Sequence, residues 1–176
     1  MGRYDGRVAI ITGAAQGIGA GIARRFADEG ASVAIFDINE EQAAQTAAEL
    51  PGKAIGVGVD VSDGASVEAG VARVLAELGG LHVIVNNAGI TRDNLLFKMS
   101  EAEWDSVIGV HLKGSFLMAK AAQKTFVDQK YGKILNLSSI GAMGNRGQAN
   151  YSAAKAGIEG QRLGQALDAG LGRRVV

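Results

Sequence analysis

At 176 residues and 47% hydrophobic composition, the chain is long enough to bury one core and short for two independent domains. Eighteen basic residues balance eighteen acidic ones, which removes the electrostatic case for nucleic acid or an anionic membrane as the main partner. There is no cysteine, and the two histidines, His82 and His111, are too few and too scattered to build a site, so disulfides and metal centres are not expected.

The N-terminal Met1-Gly2-Arg3-Tyr4-Asp5-Gly6-Arg7 leads into a short apolar run, not a signal segment. No stretch approaches the ~20 apolar residues that cross a bilayer, and a cytoplasmic enzyme is the simplest expectation. Short apolar runs rich in Val and Ile then alternate with longer amphipathic stretches: residues 8–11 then 17–29, 32–36 then 40–50, and 54–59 then 66–78. The beat continues with 83–86, one long helical stretch over 101–127, a strand over 133–137 and a helix over 150–168. Strands alternating with helices predict an α/β protein with a parallel sheet. Glycine and polar punctuation at Asp28-Glu29-Gly30-Ala31, Pro51-Gly52-Lys53 and Leu78-Gly79-Gly80 marks where helices stop. No linker, repeat or low-complexity tract interrupts the pattern, so a single domain over 1–176 is expected.

The first strand runs into Thr12-Gly13-Ala14-Ala15-Gln16-Gly17-Ile18-Gly19 and then a helix. Glycines there let the backbone turn tightly and approach a pyrophosphate, while the new helix offers free N–H groups and its positive dipole end. Asp37 ends the second strand about twenty residues on, where a carboxylate binds both ribose hydroxyls and repels a 2′-phosphate. Together with the neutral Gln16, that favours NAD over NADP; the alternative role for Asp37 is a cap for the next helix.

Tyr151 and Lys155 stand four residues apart, one helical turn, which puts phenol and ammonium on the same face. A phenol ionises near pH ~10 and serves as an acid/base at neutral pH only where a cation favours the phenolate. Lys155 is placed to be that cation. Ser138 lies thirteen residues upstream of Tyr151, with Ser139 as the confusable neighbour; if the strand ends near Leu137, the two hydroxyls point to opposite sides and only one faces Tyr151.

With the glycine turn, Asn86-Asn87-Ala88-Gly89, Ser138 and Tyr151-x-x-x-Lys155 all in order, the chain resembles the short-chain dehydrogenase/reductase family. The resemblance implies a Rossmann fold with strand order 3-2-1-4-5 and hydride exchange between a nicotinamide and a carbonyl or alcohol carbon. It implies that Asp60 and Val61 flank the adenine and that Asn87, Ala88 and Gly89 shape the cofactor side of strand four. Tyr151 is then the acid/base, Lys155 binds the nicotinamide ribose and assists the phenol, and Ser138 hydrogen-bonds the reacting oxygen.

Within the family, Gly89-Ile90-Thr91-Arg92-Asp93-Asn94-Leu95-Leu96 and the segment from Met143 to Tyr151 look like 3-oxoacyl-[acyl-carrier-protein] reductases and acetoacetyl-CoA reductases. Val110-His111-Leu112-Lys113-Gly114-Ser115-Phe116 looks more like (3R)-hydroxyacyl-CoA dehydrogenases. Both groups imply a 3-hydroxyacyl or 3-oxoacyl thioester substrate. The resemblance also implies a dimer or tetramer, with Phe116, Leu117, Ile158 and Leu163 packing either against a second copy or against the sheet.

Two departures stand out. His111 occupies the place of an asparagine thought to hold a relay water in most relatives; a histidine there keeps the relay, tunes it with pH, or simply packs. Relatives also continue well past the catalytic helix, whereas this chain reaches Arg173-Arg174-Val175-Val176 after a helix weakened by Gly157, Gly160, Gly164, Gly170 and Gly172. The last two strands of the family fold are therefore expected to be missing, leaving strand five as a sheet edge and activity of the shortened chain in question.

Overall fold

The computed structural model describes the backbone of residues 2–168 and side chains through Gln161, so Leu163 and the glycines at 170 and 172 lie outside the described side chains or residues. Five strands, β1 (Val8–Thr12), β2 (Ser32–Asp37), β3 (Ala54–Gly58), β4 (Val83–Asn86) and β5 (Lys133–Asn136), form one sheet in the order β3-β2-β1-β4-β5. Every pairing is parallel. The expected strand order therefore holds, and β5 forms one edge of the described sheet.

Parallel strands need covered faces, and the apolar runs supply side chains to both. On β1, Val8 and Ile10 point into one core with Phe36, Val67, Val71, Met118 and Phe126. Ala9 and Ile11 point into the other with Val33, Ile35, Ala23, Ala27, Ala43 and Ala47. The second core is lined by alanines because α1 (Gly17–Asp28) and α2 (Glu40–Ala48) lie close on the sheet. Larger residues of α3 (Gly64–Leu78) and α5 (Gly114–Asp128) fill the first.

Helix ends follow local chemistry. Gly30, Gly52 and Gly79 adopt φ of 92°, 79° and 80° at the three predicted joints, a conformation other residues rarely tolerate. Asn39, Asp63 and Ser100 cap α2, α3 and α4 (Glu101–Ile108), the last with a capping box to Glu103.

The single helical stretch expected over 101–127 is helical throughout but does not keep one register. A π-helical turn, Gly109–Lys113, separates α4 from α5. Such a turn inserts one residue into the helical register and is stable only where tertiary contacts hold it, so periodicity alone did not reveal it. The last helix, α6 (Ala149–Asp168), packs against α4, the π turn and α5.

Candidate active site

Strand β1 has β2 on one side and β4 on the other, so the chains leaving β1 and β4 diverge and open a crevice at the sheet's carboxyl end. The glycine turn sits there. Gly13 N–H donates to Phe36 O at 2.7 Å, and Ala15 N–H to Asp37 Oδ2 at 3.1 Å. Gly13 has φ 62°, and a Cβ on it would lie 2.7 Å from Ala88 Cα, so the turn and the end of β4 touch backbone to backbone. Gly19 is equally enclosed: a Cβ there would meet Gly13 O at 2.5 Å and Asn87 Nδ2 at 2.6 Å.

Thr12 and Asn87 knit this contact. The buried Thr12 hydroxyl oxygen accepts from Asn87 N–H at 3.1 Å and Ala88 N–H at 3.0 Å, while Asn87 Nδ2 donates to Thr12 O at 2.9 Å and Gly13 O at 3.0 Å. Their side chains are consumed in holding the two loops. What remains open is backbone: Gln16 precedes α1 without a side-chain cap, Gly17 has φ 62° with open space around it, and Ile18 is 73% exposed. Side chains cap α2, α3 and α4 but not α1, whose first-turn N–H groups fit an anionic pyrophosphate.

Asp37 sits at the end of β2 as expected, with its Oδ1 accepting from Asn39 N–H at 3.1 Å and its Oδ2 from Ala15. The cap of α2 is Asn39, so the capping role considered for Asp37 belongs to its neighbour. Asp60 follows β3, where its Oδ1 accepts from Ser62 N–H at 2.8 Å and Ser62 Oγ at 2.7 Å; Val61 beside it is buried.

On α6, Lys155 and Tyr151 share a face. Lys155 is 5% exposed, its Nζ donates to Leu137 O at 2.6 Å, and it lies 5.5 Å from the Tyr151 ring centroid. Burial pushes the Lys155 ammonium below its ordinary range. His111 comes to the same place from the π turn. Its ring meets Tyr151 edge-on at 5.2 Å between centroids, and its Nε2 is 3.0 Å from Ile90 N and 2.8 Å from Ile90 O. Burial lowers its pKa most; the hydrogen bond to Ile90 opposes that, and the Lys155 charge lowers it further by a lesser amount. Gly89 is required by this packing, since a Cβ there would lie 2.4 Å from His111 Cε1. A small cavity lined in part by Thr12, Asn86, Ala88, His111, Ser115 and Lys155 lies behind the site.

The two serines part company, as expected from a strand ending just before them. Ser138 is exposed and its hydroxyl donates to Glu159 Oε1 at 2.8 Å. Ser139 turns the other way: its Oγ accepts from Gly141 N–H at 3.1 Å, and a Cβ on Gly141 would meet Tyr151 Cε1 at 3.1 Å and Ser139 Oγ at 3.3 Å. Tyr151, Lys155 and His111 are thus brought together; of the two serines, Ser139 has its hydroxyl on the Tyr151 side, whereas Ser138, the one expected there, is engaged with Glu159 because a carboxylate of α6 lies within reach.

Sequence reasoning missed two residues here. Asn150 is fully buried, its Nδ2 donating to Arg92 O at 2.9 Å and Glu103 O at 3.2 Å, and its Oδ1 accepting from Tyr151 N–H at 2.8 Å. It fastens the start of α6 to the loop after β4 and to α4; an asparagine just inside a predicted helix start was the signal. Glu159, one turn beyond Lys155 on the predicted helix, was legible as a carboxylate on the same face.

An open parallel sheet in this order, with a glycine turn at its switch point, defines a Rossmann-type α/β protein. The Tyr–Lys turn beside that crevice, with its lysine buried, narrows it further. The chain belongs to the short chain dehydrogenase family, whose model matches residues 7–172. It is 48% identical over 159 residues to the 3-oxoacyl-[acyl-carrier-protein] reductase FabG of Chlamydia muridarum, covering 88% of this chain and 64% of that one. Against the FabG of Escherichia coli (strain K12) the identity is 42% over 159 residues, covering 89% and 65%. The FabG of Thermotoga maritima is 44% identical over 162 residues, covering 90% and 66%. The chain therefore spans about 64–66% of the length of these relatives. Among the described residues, no helix is long and apolar enough to cross a membrane.

Proposed function

We propose that the chain carries the nucleotide-binding and proton-transfer parts of a nicotinamide-dependent oxidoreductase acting on the 3-carbon of a 3-oxoacyl or 3-hydroxyacyl thioester. The observation that carries this reading is the Lys155 ammonium, buried and 5.5 Å from the Tyr151 ring at the carboxyl end of the sheet. A surface Tyr-x-x-x-Lys pair would leave both groups in water; here the charge is kept dry against the phenol that would use it.

The residues that would hold the cofactor are Gly13, Gln16, Gly17, Ile18 and Gly19 at its pyrophosphate, Asp37 at the adenosine ribose, Asp60 and Val61 at the adenine, and Asn87, Ala88 and Gly89 along its nicotinamide half. When bound, the nicotinamide supplies or takes up the hydride. Tyr151 gives a proton to the substrate oxygen in reduction and removes one in oxidation, Lys155 favours the phenolate, and a serine at the end of β5 donates to the reacting oxygen: Ser139, whose hydroxyl lies on the Tyr151 side, or Ser138 once its hydroxyl leaves Glu159. Asp37 supports NAD over NADP, because its carboxylate repels a 2′-phosphate. The relatives' printed names support an acyl-carrier-protein thioester; a CoA thioester presents the same 3-carbon chemistry.

Adding acetoacetyl-CoA with NADH or NADPH and following loss of nicotinamide absorbance tests the reading. Turnover above a Tyr151→Phe control supports it, and turnover equal to that control defeats it. A second reading, nucleotide binding without turnover, is favoured by the 2.8 Å bond that draws Ser138 to Glu159. NADH binding by fluorescence with no turnover would select it.

A further inference from the structure

His111 has a hydrogen-bonding conflict that its surroundings do not resolve. Its Nε2 is within bonding distance of both Ile90 N, at 3.0 Å, and Ile90 O, at 2.8 Å. One ring nitrogen is either a bare acceptor or a protonated donor, so the neutral ring satisfies one of these backbone groups at a time. Its Nδ1 is buried with no partner among the described residues, and the whole residue is 5% exposed. We propose that His111 is a positioning residue that makes the site acid-sensitive: neutral, it holds the Ile90 backbone and braces the Tyr151 ring; charged, it lets go of the Ile90 N–H.

The charges around the ring set the direction. From α6 it faces Lys155, a cation, and Tyr151. From β1, β4 and α5, the groups sharing its cavity are Thr12, Asn86 and Ser115, and Val61 comes from the end of β3. From the loop after β4 it meets the Gly89 and Ile90 backbone. No carboxylate is among these groups to favour an imidazolium. A charged ring donates its Nε2–H to Ile90 O, which leaves the Ile90 N–H facing a donor, and it buries the Nδ1–H without an acceptor. Because Gly89 has no room beside the ring, a ring displacement toward that loop moves the Gly89-Ile90 segment next to the cofactor crevice.

Burial outweighs the opposing Ile90 hydrogen bond and, with Lys155, lowers the His111 pKa from 6.5, so charging occurs in acid, below that value. The kinetic consequence rests on the oxidoreductase reading; the structural one does not. An asparagine offers a carbonyl and an amide N–H side by side, so it can serve Ile90 N and O together and does not titrate.

Imidazole and backbone amide resonances of the isotope-labelled chain, followed from about pH 8 to about pH 4.5, test the clamp, with His111→Asn assigning which of the two histidine signals is His111. The expected result is a His111 midpoint below 6.5 and an Ile90 amide signal that moves with the same midpoint. In parallel, the ratio of acetoacetyl-CoA turnover at about pH 5.5 to that at about pH 7.5 should be at least about threefold higher in His111→Asn than in the parent. An Ile90 amide that stays still while His111 titrates overturns the proposal, as does a ring that stays neutral throughout the folded range, or an unchanged acid limb in His111→Asn. Absence of turnover at every pH would instead remove the oxidoreductase reading, with the Ile90 titration still deciding the clamp.

Discussion

Lys155 Nζ donates 2.6 Å to the carbonyl of Leu137, the residue immediately before Ser138, and so ties the middle of α6 to the end of β5. The bond sets the depth at which the Tyr151 phenol sits relative to the sheet. Lys155→Ala removes the cation and orphans a partly buried carbonyl, an effect of about 1–3 kcal/mol on stability. Turnover of acetoacetyl-CoA should fall by about 100-fold or more while the fold survives. Steady-state rates alongside a urea melt check both; turnover within a few-fold of the parent would remove Lys155 from the proton-transfer pair.

Asp37 already accepts from Ala15 and Asn39, so replacement by asparagine keeps an acceptor for the glycine turn and removes the negative charge. The preference for NADH over NADPH should shift toward NADPH by about tenfold or more, a change of about 1.4 kcal/mol in relative binding. Dissociation constants for both nucleotides measure it directly, and an unaltered ratio would mean that Asp37 serves only the loop.

Gly13 and Gly17 have the same φ of 62° but different surroundings. An alanine at Gly17 meets open space and costs only the backbone strain, about 1–2 kcal/mol, whereas at Gly13 it also collides with Ala88. Gly13→Ala should therefore lower stability by roughly 2 kcal/mol or more and exceed Gly17→Ala in the same denaturant titration.

His82 Nδ1 accepts from Val8 N–H at 3.0 Å, which requires the ring to lack a proton there. Burial, then Arg7, lower its pKa below 6.5. The unfolded chain, with the ordinary value, binds the proton first as pH falls, so stability is intact above 6.5 and declines from there down to the lowered folded value. Thermal midpoints should drop through this acid window, and less steeply in His82→Gln; equal slopes would dismiss the Val8 contact as the cause.

Ser138 and Glu159 offer the sharpest test of the site residues. If Ser138 donates to the reacting oxygen, Glu159→Ala frees its hydroxyl and turnover should rise by about threefold or more, while Ser138→Ala should lower it by about tenfold or more. Equal turnover in parent and Ser138→Ala would leave the serine as a strand-end group held by Glu159.

Sequence alone determined the features governed by near neighbours along the chain. Apolar runs with side chains for two faces specified the parallel strands, Gly30, Gly52 and Gly79 specified the helix ends, and four-residue spacing put Tyr151 and Lys155 on one face. The strand order itself followed from the resemblance those motifs carry. Tertiary structure decided what depends on groups far apart in sequence. The π turn that admits His111 is held by Ile90 and α6, the consumption of Thr12 and Asn87 by loop contacts is set across the β1–β4 gap, and Ser138 is drawn to a carboxylate 21 residues away. A side chain's hydrogen-bond partner is chosen by whichever group the completed packing brings within reach, and periodicity carries no record of that choice.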